Sequence, residues 1–172
     1  MRLTDDDRQM AVRDFFMPAQ LLEFADLPDG AARIAWGEGQ FARRKGHTAV
    51  RRLEGEPDAG SMCTWTRAPG GFRYEIDTRR GVRAGEFTWR EVHQVIESRL
   101  TAVRYGALRK AVEEHARHEE AYTPCPGPYA DPAAWDRGFY RDWSRGSSAL
   151  QLKAAAALDA ILPAAVAHPA LF

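Results

Sequence analysis

The stretch Ala68-Pro69-Gly70-Gly71, set between Met62–Arg67 and Phe72–Asp77, restricts the possible folds of this chain more than any other feature. The flanks carry β-branched and aromatic residues, and the Pro and Gly between them suit a tight turn, so the pattern predicts a β-hairpin. In the second flank Phe72, Tyr74 and Ile76 alternate with Arg73, Glu75 and Asp77. A strand has period two, so the first set should share a buried face and the second an outer one.

A turn-rich piece, residues 78–85, separates this hairpin from Glu86–Glu91. Thr88 and Glu91 have capping-box spacing, in which each side chain satisfies a free backbone N–H at a helix start. Beyond them Val92, Ile96, Leu100, Val103, Ala107 and Ala111 form a seam at helical spacing. The seam predicts one long helix over about 88–118, with Gly106 as its weak point.

Elsewhere the punctuation is equally local. Thr4 before Asp5, Asp6 and Asp7 is a helix start, with a capping hydroxyl and carboxylates in the positive first turn. Pro18 suits the first position of a second short helix, which should end at the turn Leu27-Pro28-Asp29-Gly30. Arg33–Trp36 and Thr48–Leu53 are β-capable, with Gly37, Gly39 and Gly46 as punctuation, and Gly55–Gly60 reads as a loop. Thr123-Pro124-Cys125-Pro126-Gly127-Pro128 cannot be helical and makes a connection at about 123–130. Asp131-Pro132 then opens a helix with Trp135, Phe139 and Trp143 on one face. Gly146-Ser147-Ser148 should end it and cap another, Ala149–Leu162.

These signals predict an α+β fold. A small antiparallel sheet from hairpin-rich residues 31–87 would pack against the long helix (about 88–118) and a C-terminal helical hairpin. At 172 residues and 45% hydrophobic content, residues 1–172 are expected to form a single domain with a real core. Cys63 and Cys125 stand far apart and outside any Cys-x-x-Cys pair, which argues against a zinc ribbon or a dithiol redox centre. The acidic start lacks the apolar run of a leader, and no stretch approaches the roughly 20 apolar residues that span a bilayer. The expectation is a cytoplasmic protein without a membrane contact.

Charge sharpens the functional question. The net charge is zero, yet residues 31–110 hold sixteen basic and nine acidic side chains, while both flanking segments are acidic. The basic excess falls on Arg43, Arg44, Lys45, Arg51, Arg52, Arg73, Arg79, Arg80 and Arg83. Gathered on one side, these would neutralise phosphates, and Trp36, Phe41, Trp65 or Tyr74 could stack on bases if exposed. The opposing reading pairs them with Glu54, Glu75 and Glu86 as an ordinary surface. Helix-turn-helix, zinc-finger and ribonucleoprotein signatures are absent from the sequence.

Two other groups carry chemistry. Trp135, Phe139 and Trp143 suit a core stripe or a partner surface, rimmed by Arg137, Arg141 and Arg145. His115 and His118 lie three apart, so on a helix both could reach a metal, with Glu114 or Glu119 adding oxygen. No His-Glu-x-x-His or ferritin-like pattern accompanies them. Cys63 reads as a small buried hydrophobe. Gly37-x-Gly39 and Gly70-Gly71 lack the strand–loop–helix context of a phosphate loop, so no cofactor is expected. The leading expectation is a non-enzymatic protein binding nucleic acid or another polyanion through its Arg-rich hairpin region. A protein-interaction or self-associating module using Trp135, Phe139 and Trp143 comes second. A metal-dependent enzyme using His115 and His118 comes third.

Overall fold

Strand periodicity is obeyed over residues 72–77 in the computed structural model. It describes residues 1–28, 30–43, 47–53, 56–122 and 139–163, with the side chains of 47–53, 56–60, 122 and 139–144 excepted. Four strands, β1 (His47–Leu53), β2 (Glu56–Ala68), β3 (Gly71–Thr78) and β4 (Gly81–Thr88), form an antiparallel sheet in the order β1-β2-β3-β4. One ladder row runs Val50–Met62–Asp77–Val82 and a second runs Ala49–Cys63–Ile76–Arg83. Cys63 and Trp65 on β2, Phe72, Tyr74 and Ile76 on β3, and Phe87 on β4 are buried. Met62, Thr66, Asp77, Val82 and Glu86 on the opposite face are exposed. This is the division that the alternation around Phe72–Asp77 predicts.

Two turns set the register. Pro69 and Gly70 make the β2–β3 turn, with Gly70 at φ 66°, a left-handed conformation that Gly reaches without steric cost. A Cβ on the next residue, Gly71, would run into the carbonyl oxygen of Phe87, so the strands close only around a bare backbone. Arg79 and Arg80 make the β3–β4 turn. There Thr78 Oγ1 accepts from the Arg80 N–H (3.2 Å) and donates to the Gly81 carbonyl (2.7 Å).

The first two helices form where their caps predict. Helix α1 (Asp5–Phe15) opens on a closed capping box, with Thr4 N–H donating to Asp7 Oδ2 (2.8 Å) and Asp7 N–H to Thr4 Oγ1 (3.1 Å). Helix α2 (Pro18–Asp26) has Pro18 in its first turn. Residues 31–43 depart from the expectation of strand, because they form helix α3 (Gly30–Arg43). Packing explains this. Gly37 and Gln40 are buried three residues apart, and a Cβ at Gly37 would overlap the indole of Trp89. The glycine that looked like strand punctuation is the point where a large aromatic meets helical backbone. The residues before Gly60 also differ: β2 already begins at Glu56, and Gly81–Thr88 is a strand rather than a turn-rich spacer.

The helices of residues 5–43 and 89–99 lie on the buried face. Trp65 Nε1 donates to the Ala11 carbonyl at 3.0 Å, and the Phe15 and Phe72 rings stack at 5.2 Å. Helix α4 (Trp89–Arg99) starts with no loop after β4, since Thr88 ends the strand and caps the helix. Its N–H donates to Glu91 Oε2 (2.8 Å), and its hydroxyl accepts from the Glu91 N–H (3.2 Å). Trp89 then packs among Phe15, Phe24, Trp36 and Phe72. A short strap covers the β4 edge: Met1 N donates to Val82 O (3.1 Å), Ala84 N–H donates to Met1 O (3.2 Å), and Leu3 lies against Gly85.

The long helix expected over 88–118 is two helices, α4 and α5 (Ala102–Tyr122), with Leu100 and Thr101 between them. Thr101 restarts the chain as a cap, its hydroxyl accepting from the Arg104 N–H (3.3 Å) and its carbonyl from Tyr105 (2.9 Å). The break interrupts the seam. Val92, Ile96 and Ala111 are buried as the seam predicts, but Val103 is 83% exposed, Ala107 is exposed, and Leu108 is buried instead.

Helix α6 (Phe139–Ile161) continues through Gly146-Ser147-Ser148, where an end is expected. The small and polar residues there serve contact with α5. The His118 ring sits where a Gly146 side chain would be, and Ser147 Oγ donates to Glu119 Oε1 at 2.5 Å. Ala154 and Leu158 are buried farther along α6. The fold is α+β, and its described residues divide into two compact units, one within Met1–Arg99 and one within Leu100–Ile161. Among the described residues no helix is long and apolar enough to cross a membrane. The connection expected at about 123–130, Cys125 included, lies outside the described residues.

Candidate polyanion-binding surface

The arginines of the sheet fall into two classes, and register decides which. Arg83 pairs across β3–β4 with Ile76, which places it on the buried face. There its guanidinium donates to Asp7 Oδ1 at 2.9 Å, with the Asp7 side chain only 5% exposed. The charge of Arg83 is thus held inside by the acidic start of the chain, which removes it from the expected cationic surface. Arg73 lies on the outer face between two carboxylates, Glu75 at 2.7 Å and Glu86 at 3.9 Å. That is the ordinary paired surface weighed in the sequence. Arg67 is likewise paired, with Glu38 of α3 at 2.5 Å.

Arg79 and Arg80 differ. Both are exposed at the β3–β4 turn, and among the described residues neither has a carboxylate partner. The ladder adds Arg51, whose backbone pairs with Ser61, one row beyond Val50–Met62–Asp77–Val82 and toward that same turn. Arg52 falls at the register shift between Arg51 and Leu53. The arginine-bearing end of β1 and the Arg79–Arg80 turn therefore lie at one end of the sheet, about 10 Å apart at two strand spacings. Arg43 is exposed in the last turn of α3, and His47, which opens β1, pairs with Trp65 nearer the opposite end. Arg44 and Lys45 lie outside the described residues.

The stacking platforms do not survive folding. Trp65 and Tyr74 are fully buried on the inner face, 4.7 Å apart. Burial, with the Cys63 thiol beside it, pushes the Tyr74 phenol well above its ordinary range, so it stays neutral. Trp36 and Phe41 are half-buried against Phe15. None of these four rings is thus a fully exposed platform beside Arg79 and Arg80. Over residues 1–99 sixteen basic side chains meet sixteen acidic ones, so the sheet unit as a whole is neutral.

His115 and His118 sit on α5 facing α6. His115 Nε2 is 3.5 Å from Glu119 Oε1, the same oxygen that accepts from Ser147. The carboxylate stands between the serine and the histidine, so the histidine is not placed to take the serine's proton. Among the described residues no group of three His, Cys, Asp or Glu side chains is placed to hold a metal. Phe139 and Trp143 lie in α6, but their side chains, and Trp135 altogether, fall outside the described residues.

One constellation has no sequence motif. Arg33 of α3 lies over the Phe24 ring (5.9 Å to its centre) and donates to the Leu27 carbonyl at 3.1 Å. The His93 ring of α4 lies 6.3 Å from the same phenyl centre, with Nδ1 3.7 Å from Glu97 Oε2. Burial lowers the His93 pKa, the Arg33 charge lowers it further, and Glu97 partly opposes both. Reading Arg33 on a strand hides this pairing; only a helix at 30–43 puts it beside α2 and α4. Comparison with protein-family models, with curated proteins and with solved structures yields no match for the chain.

Proposed function

We propose that this chain is a non-enzymatic binding protein that holds a polyanion, nucleic acid included, at the end of the sheet bearing Arg79 and Arg80. One observation carries the reading: these two arginines are exposed at the β3–β4 turn without a carboxylate partner among the described residues, whereas Arg67, Arg73 and Arg83 are paired. The backbone positions of Arg51 and Arg52 at the same end of the sheet support it. Because the aromatic face is buried, recognition rests on phosphates rather than on bases.

Duplex DNA is the direct probe. Two phosphate contacts give a slope of about −2 in log affinity against log salt, and four give nearly −4. Fluorescence anisotropy across a NaCl series measures it. Reversing both charges, Arg79→Glu with Arg80→Glu, should abolish binding. Arg73→Glu, already neutralised by two carboxylates, should change it little. Undiminished binding after the double reversal, or no binding to duplex or polyphosphate at low salt, overturns the reading.

A further inference from the structure

We propose that Arg33 and His93, set on the Phe24 ring where α2, α3 and α4 converge, form a binding site for a small oxyanion, phosphate or carboxylate. The site is separate from the arginine end of the sheet and stands independently of the function proposed for it.

Three observations carry it. The guanidinium is fixed on both sides, by the Phe24 face and by the Leu27 carbonyl, so its direction is set before any ligand arrives. It has no carboxylate partner among the described residues, and its Nε–H is buried without an acceptor. A buried donor left unsatisfied costs about 1–3 kcal/mol, which is why such groups mark missing waters or ions. The second polar group on the same ring is the His93 imidazole, whose side chain is 20% exposed.

The neighbouring charges do not fill it. Glu97 lies 3.7 Å from His93 on the same helix, but its side chain is 73% exposed. Glu23 of α2 is engaged by the Trp36 indole N–H at 3.1 Å. Glu38 of α3 is held by Arg67, and Arg99 of α4 donates to Gln9 of α1. Asp26 ends α2 and has an interaction of its own. The net local charge is set by Arg33, and protonating His93 beside it is disfavoured until an anion enters. Charge, planarity and a fixed donor direction suit a carboxylate or phosphate oxygen.

Anion and proton are therefore coupled at His93: a bound oxyanion raises the pKa of the imidazole. The test is an NMR titration of the histidine ring protons of the full chain, with His93 assigned through His93→Asn. It is run in phosphate, acetate and chloride at equal ionic strength, because salt alone relaxes the Arg33–His93 repulsion. Phosphate or acetate should lift the His93 pKa by about one unit above its value in chloride. In Arg33→Gln the difference should vanish. Where Arg33→Gln does not fold, Arg33→Lys keeps the charge without the planar fork and should shrink the difference. Equal values in all three salts for the unsubstituted chain, or a difference that persists in Arg33→Gln, overturns the proposal.

Discussion

Placing a methyl group on Gly37 drives it into the Trp89 indole, whereas the same change at Gly39, two residues along the same helix, meets nothing within 4 Å. The two substitutions share every term except that overlap. Gly→Ala inside a helix gains about 1 kcal/mol from backbone entropy. Forcing a carbon into a packed aromatic cluster costs about 1–3 kcal/mol, because Trp89 is 1% exposed and is surrounded by Phe15, Phe24, Trp36 and Phe72. Gly37→Ala should therefore lose up to about 2 kcal/mol net, and Gly39→Ala should gain up to about 1 kcal/mol. Urea unfolding followed by tryptophan fluorescence, with Trp135 and Trp143 changed to Phe, reports on this unit alone. The midpoints should move in opposite directions at unchanged slope. A Gly37→Ala midpoint as high as that of Gly39→Ala would refute both the helix at 30–43 and its packing on Trp89.

Asp7 closes the α1 capping box and also holds Arg83, so Asp7→Asn leaves a largely buried guanidinium without its counter-charge and should cost about 3 kcal/mol in the same urea assay. The Glu91 carboxyl is held below its ordinary value of 4.5, first by the Thr88 backbone N–H, then by the Thr88 hydroxyl and by Arg8. A lowered folded pKa gives stability that is present above the unfolded value and lost as pH falls through the folded one. Glu91→Gln should therefore flatten the acid limb of a stability–pH curve below about pH 4.5, and a curve of unchanged shape would contradict the cap.

Local signals proved legible where the chain decides locally. Thr4–Asp7, Pro18 and Thr88–Glu91 each start a helix through side chains within three residues, and Pro69-Gly70 turns the hairpin. The alternation from Phe72 to Asp77 likewise separates the two sheet faces. Signals failed where the partner is distant. Gly37 reads as a strand break until Trp89, fifty-two residues later, is known to occupy the space above it. Gly146 and Ser147 look like a helix end because their partners, His118 and Glu119, lie on another helix. Thr101 is hidden by a seam that reads as continuous, although its hydroxyl is an ordinary cap. The candidate surface divides in the same way. Composition reveals an arginine-rich stretch, but only register shows that Arg83 turns inward to Asp7, that Arg73 is neutralised, and that Arg79 and Arg80 are exposed at the turn.

The strap formed by Met1 and Arg2 makes the two edges of the sheet unequal. It takes the Val82 carbonyl and the Ala84 N–H, which a foreign strand would otherwise use, while among the described residues β1 has no strand on its outer side. A sheet with two open edges can add copies without end, and one with a single open edge cannot. Edge-to-edge pairing through β1 of each copy would make a closed pair rather than a growing fibre.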